Sequence, residues 1–119
     1  MSEARERLQT ARRRLDAARL LHRHEFPSDA MSRLYFGVLE SARALLLLRD
    51  LTPKTHKGIG MKLGQHFRND VDVGLLTKLR QNREEVDYNL REPSSDEIKT
   101  YLDRAEEFIE VSARRIGEE

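Results

Sequence analysis

Apolar residues recur along this chain every three or four positions, the period of a helix packed on one face, and no segment alternates in the two-residue rhythm of a strand. Leu8, Ala11, Leu15, Ala18 and Leu21 form the first stripe, with Ser2 placed to cap the helix and an end near His24. Pro27-Ser28-Asp29 then breaks and restarts the chain. Ala30, Leu34, Val38, Ala42, Leu45 and Leu46 carry a second helix to near Arg49. Met31, Tyr35, Leu39 and the leucine run at 45–48 widen its apolar face, so this helix is expected to be the most buried.

Pro53 ends that helix, because its ring disfavours helical geometry in the residue before it. Gly58, Gly60 and Gly64 weaken helical order in the next segment, yet Ile59, Leu63 and Phe67 keep one-turn spacing. That predicts a short helix over one end of the molecule, closed at Asn69-Asp70. Asp72 is placed to cap a third long helix that reaches about Leu90, with Leu75, Leu79, Val86 and Leu90 as its buried stripe. Pro93 stops the connection, and Ser94 with Glu97 forms a capping box for a fourth long helix. Ile98, Leu102, Ala105, Phe108, Ile109 and Ile116 supply the inward face of that helix. The pattern therefore predicts an all-α, antiparallel up-and-down bundle of four long helices plus one short helix, a single domain over residues 1–119.

One position violates the pattern. Arg83 falls on the stripe between Leu79 and Val86, where the period asks for an apolar side chain. A fixed charge there needs a partner or a ligand. Asp87, one turn on, could pair with it and hold the stripe in register, although arginine before the acid is the less favourable order for such a pair. Alternatively the planar guanidinium clamps two oxygens of a phosphate. Tyr88 lies about 140° round the helix from Arg83, so the two converge only across a cleft or a dimer seam.

Composition narrows the chemistry. With 38% hydrophobic and 36% charged residues, the chain suits thin amphipathic helices. It has no cysteine, so disulfides and cysteine-ligated metal sites are excluded, and no apolar run approaches the ~18 residues that span a bilayer. A soluble cytoplasmic protein without a membrane role is expected. Charge is unevenly spread: residues 1–24 hold seven arginines against three acids, whereas residues 94–119 hold four bases against eight acids. The first and last helices are therefore expected to lie side by side and pair at the surface.

Residues 51–69 carry Lys54, His56, Lys57, Lys62, His66 and Arg68 with no acid at all. His56-Lys57-Gly58 could bind an anion at a helix start, and Arg33, on a helix that is otherwise largely apolar, could project toward the face carrying Arg83. Tyr35 and Phe36, at helical spacing beside it, read as core. The four histidines are too scattered for a metal site, and no phosphate-binding glycine loop, nucleophile elbow or carboxylate pair is present, so neither a metal nor a cofactor is expected.

Taken together, residues 28–36, Ala42-Arg43-Ala44-Leu45-Leu46, Pro53-Lys54-Thr55-His56-Lys57-Gly58, Gly64-Gln65-His66-Phe67 and Arg83 through Tyr88 resemble the HEPN family over nearly the whole chain. These are small helical proteins often encoded beside minimal nucleotidyltransferases. The likeness is to the branch whose third long helix ends in an arginine followed by an Asp-Tyr pair. The resemblance implies a homodimer in which the third-helix motifs of two subunits face one cleft. It also implies a metal-independent ribonuclease acting as a toxin, whose arginine holds the scissile phosphate while a histidine four to six residues on assists proton transfer. Here Arg83 matches the arginine, Tyr88 stands at the histidine position, and no histidine follows His66. A tyrosine of ordinary pKa, ~10, is a poor base at neutral pH, and losing the histidine removes ~10²–10⁴-fold in rate.

Two functions stay open on this reading. One is the HEPN component of a toxin-antitoxin or nucleotidyltransferase module, with Arg83, Asp87 and Tyr88 at a dimeric cleft for RNA or nucleotide phosphate and Arg33, His56 and Lys57 as further phosphate contacts. In a variant of this, the partner nucleotidyltransferase modifies a tyrosine in the region. The other is a non-catalytic helical module that binds a nucleotidyltransferase partner, with Arg83 and Asp87 a structural ion pair.

Overall fold

A computed structural model describes residues 2–117, and among them every regular element is helical. The elements are α1 (Glu3–Arg23), α2 (Pro27–Leu47), α3 (His56–His66), α4 (Val73–Asn89) and α5 (Ser95–Ile116). Ser2 caps α1 by accepting from the Arg5 amide, and the Ser94–Glu97 capping box closes both of its hydrogen bonds at the start of α5. The chain restarts at Pro27 as expected: it is the first residue of α2, where a missing amide hydrogen costs nothing, while the turn itself is made just upstream by Glu25 at φ 64°.

Two expectations about α4 are corrected. Asp72 occupies the N-cap position without making the side-chain cap, because its carboxylate is taken by Arg104 of α5 at 2.6 Å. Leu90 is not part of the buried stripe: it ends the helix in the left-handed conformation at φ 53° and stands 87% exposed. Leu75, Leu79 and Val86 are buried as the period requires.

Contacts between helices run in opposite residue order. Arg7 meets Glu40, while Ala11 and Leu15 approach Gly37. Arg12 meets Glu110 and Arg19 meets Glu106. Asp72 meets Arg104, and Asn82 meets Tyr101. Thus α1 is antiparallel to α2 and α5, and α4 is antiparallel to α5, which makes the four long helices an up-and-down bundle. The α1–α5 pairs also join the basic first helix to the acidic last one.

Helix α2 touches all the others and buries most of its circumference, from Ala30 and Met31 through Leu45 and Leu46. Short α3 packs on α2 and α4, with Ile59, Leu63 and Phe67 buried beneath it. Its start is fixed by Thr55, whose hydroxyl accepts from the Gly58 amide at 2.9 Å. A side chain at position 58 would press on that hydroxyl and on Pro53, at 3.1 and 3.3 Å, so glycine lets the capped turn close. Among the described residues no helix is long and apolar enough to cross a membrane.

Candidate functional site

Helical periodicity turns Arg83 toward α2, and α2 meets it with two aromatic rings. The Arg83 guanidinium carbon lies 5.4 Å from the centroid of Tyr35 and 5.0 Å from that of Phe36. The rings themselves pack edge to face at 5.3 Å. A cation over such faces gains about 0.5–2 kcal/mol per ring, more as water is excluded, without using its hydrogen-bond donors. Asp87 does not use them either. Its nearest oxygen is 3.7 Å from Arg83 Nε, a distance of charge attraction rather than of a hydrogen bond. Nε itself is buried with no hydrogen-bond partner among the described residues. A third of the Arg83 side chain remains accessible (33%), so the cation is held firmly in place and left chemically unsatisfied.

Tyr35 is shared between two groups. Its ring supports Arg83, while its hydroxyl lies 3.2 Å from Nδ1 of His56 and the two rings stack at 5.9 Å. Burial and then the charge of Arg80 push the His56 imidazole below its ordinary pKa, with Glu84 acting in the opposite direction. His56 is thereby kept neutral near pH 7. It lines an open groove of about 650 Å³ between α3 and α4, together with Lys57, Met61, Arg80, Gln81 and Glu84. Arg80 and Glu84 pair across one turn of α4 at 3.1 Å.

The sequence candidates separate in space. Arg83 and His56 meet through Tyr35, and Lys57 joins His56 at the groove. Asp87 stays within ion-pair range of Arg83. Tyr88 is 82% exposed and stands next to exposed Asn89 and Leu90 at the end of α4. Arg33 is exposed, and its side chain makes no hydrogen bond or ion pair among the described residues. It lies about 40° round α2 from Gly37, which packs on α1, and so sits on the side away from Tyr35.

Sequence reasoning missed Arg80 and Glu84 as groove residues and placed Tyr35 only in the core. The i,i+4 charge pair at 80 and 84 was visible, but nothing local announces that it faces His56. Among the described residues, no three His, Asp or Glu side chains gather in a way that could hold a metal ion.

A second polar cluster sits just beyond α4. Arg91 binds both oxygens of Glu97 at 3.0 Å, donates to Asn82 at 2.8 Å and approaches Glu85 at 3.1 Å. Asn82 in turn donates to the hydroxyl of Tyr101 on α5. This cluster ties the end of α4 to the start of α5.

Comparison with known proteins supplies independent information. The family model for the HEPN domain matches residues 4–116. The Methanocaldococcus jannaschii protein named "Putative toxin MJ0605" is 30% identical over 116 residues, covering 93% of this chain and 87% of the relative. A second protein of that organism, "Putative toxin MJ0142", is 29% identical over 100 residues, 80% of this chain and 68% of its own length. A UPF0332 protein of Thermotoga maritima is 27% identical over 112 residues, with 89% and 85% covered.

Proposed function

The chain belongs to the HEPN domain family, and from that premise we propose that it is the toxin-like component of a two-protein module and binds RNA through a backbone phosphate at Arg83. The observation that carries this reading is the state of Arg83: oriented on the faces of Tyr35 and Phe36, partly accessible, and without a hydrogen bond among the described residues. A phosphate offers the charge and the paired oxygens that this guanidinium lacks. Asp87 lies within ion-pair range at 3.7 Å but makes no hydrogen bond to Arg83, so the pair leaves the donors of the guanidinium open to a ligand. The two M. jannaschii relatives, each named as a toxin, support a toxin-like role.

In the same proposal the exposed end of α4 faces a second copy of the chain. Tyr88 and Leu90, 82% and 87% exposed, are large side chains with nothing over them, so a dimer formed there sets two Arg83 residues about one cleft. Tyr88 then donates a hydrogen bond to phosphate. It is also within reach of a minimal nucleotidyltransferase, the expected partner. The decisive experiment measures binding of a fluorescent single-stranded RNA in EDTA by anisotropy, for wild type, Arg83→Ala and Arg83→Lys. Binding that weakens about 10- to 100-fold in Arg83→Ala, with helicity intact, supports the reading. Equal binding by all three, or none by the wild type, rejects it.

A further inference from the structure

We propose that His56 is the group that moves the proton in RNA cleavage, working in the α3–α4 groove while Arg83 holds the RNA backbone. This rests on the RNA-phosphate reading above and adds the chemistry that Tyr88 does not offer. Tyr88 stands 82% exposed, whereas His56 is fixed at both the ring and the nitrogen by Tyr35. When Nδ1–H donates to the Tyr35 oxygen, Nε2 carries the free lone pair and the imidazole is oriented as a base. Arg83 and His56 contact the same tyrosine, the guanidinium carbon 5.4 Å and the imidazole centroid 5.9 Å from its ring centroid, and in this proposal one RNA backbone runs from Arg83 to the groove that His56 lines.

The groove beside His56 has the contents that a ribose and its phosphate require. Lys57 supplies positive charge, Arg80 adds to it although it is paired with Glu84 at 3.1 Å in the same groove, Gln81 can hydrogen-bond, and Met61 is an exposed apolar surface on which a base can rest. Gly60 contributes no side chain to the groove, and a Cβ there would meet nothing within 4 Å, so the space is open.

The step balances without metal. His56 Nε2 takes the proton of a ribose 2′-hydroxyl as the 2′ oxygen attacks the adjacent phosphorus. The bond from phosphorus to the 5′ oxygen breaks, leaving a 2′,3′-cyclic phosphate. Solvent protonates the departing 5′ oxygen, and the imidazolium returns its proton to solvent. No oxidant, reductant or second substrate enters.

The test uses the full chain, a fluorescein-labelled single-stranded RNA and the same oligomer with 2′-deoxyribose throughout, all in EDTA. His56→Gln keeps a hydrogen-bonding group near Tyr35 but cannot titrate. It is expected to bind the RNA within about 3-fold of wild type and to cut it about 10²–10⁴-fold more slowly. His66→Gln, altered on the exposed end of α3, is expected to cut normally, and the deoxy oligomer to stay intact. If His56→Gln does not fold, the wild-type pH profile decides. The groups facing His56 are Tyr35 from α2, Arg80 and Glu84 from α4 and its neighbour Lys57, and of these only His56 has an ordinary pKa near neutrality. Cleavage must therefore fall on acidification through its titration. Cleavage by His56→Gln at the wild-type rate, a flat profile, or wild-type protein that binds RNA without cutting it overturns the role of His56 and leaves the phosphate site standing. Wild-type protein that binds no RNA overturns both.

Discussion

Arg83, on α4, and Arg91, just past its end, have nearly the same exposure and are used in opposite ways. Arg91 spends both terminal nitrogens on Glu97 and Asn82, and its Nε, without a hydrogen bond, lies 3.1 Å from Glu85, so the cation is neutralised within the chain. Arg83 rests on two rings and makes no hydrogen bond among the described residues. The difference separates an arginine that joins two helices from one that is oriented and left available. Oppositely charged neighbours do not by themselves tell the two apart, because both have an acid nearby. Hydrogen-bond distance does: 3.0 Å to Glu97 against 3.7 Å to Asp87.

That contrast can be broken experimentally. The largest effect is expected from Arg83→Ala, which should weaken RNA binding about 10- to 100-fold, the worth of a charge-assisted contact of about 1.5–3 kcal/mol. Losing the contacts with the Tyr35 and Phe36 rings should also lower Tm by a few degrees, so RNA affinity and not Tm separates the two arginines. RNA affinity that holds in Arg83→Ala would make Arg83 a structural residue too. Arg91→Ala should leave binding alone. It should cost about 1 kcal/mol, less than a buried network because solvent screens these half-exposed charges, and lower Tm by a few degrees while RNA affinity holds within about 2-fold.

The two regions should also answer acid at different pH. His56 is held below its ordinary value of 6.5, first by burial and then by Arg80, so the folded state binds this proton less readily than the unfolded chain does. Its contribution is present above about 6.5 and is lost as pH falls through the lowered value. Glu97 is held below its ordinary 4.5, chiefly by its hydrogen bonds to Arg91, so its contribution is complete above that and is lost at still lower pH. Urea titrations across pH should therefore show two steps. His56→Gln should erase the upper one and Arg91→Ala should diminish the lower. A single step unaffected by either variant would contradict this assignment.

Leu90→Asp is expected to have the smallest effect on the fold, within about 0.5 kcal/mol, because the side chain is 87% exposed. Its consequence should instead be seen in light scattering, as loss of a dimer. A dimer that survives the change places the interface elsewhere.

Much of the fold was legible because helix formation leaves its record at short range. The caps at Ser2 and Ser94, the stripes of α1 and α5 and the short α3 all derive from residues three or four apart. The failures occurred where two local roles competed for one residue. Asp72 could cap α4 or bind Arg104, and the longer-range ion pair took the carboxylate. Leu90 continued the stripe in number, but the helix had already ended. Within the candidate site, Arg83 stood out as a charge on an apolar stripe. Tyr35 did not, since a buried tyrosine on an apolar helix has the ordinary pattern of a core residue.

The sequence alone determined that the chain is helical, where its helices run, and that one charge lies on the inward side of α4. Tertiary structure decided what that charge meets. Tyr35, His56 and Arg83 come from three different helices, and helical periodicity relates only neighbours on one of them. Their assembly depends on how α3 and α4 pack against α2, which is why a histidine far upstream of Arg83, and not the tyrosine close after it, came to share its aromatic support.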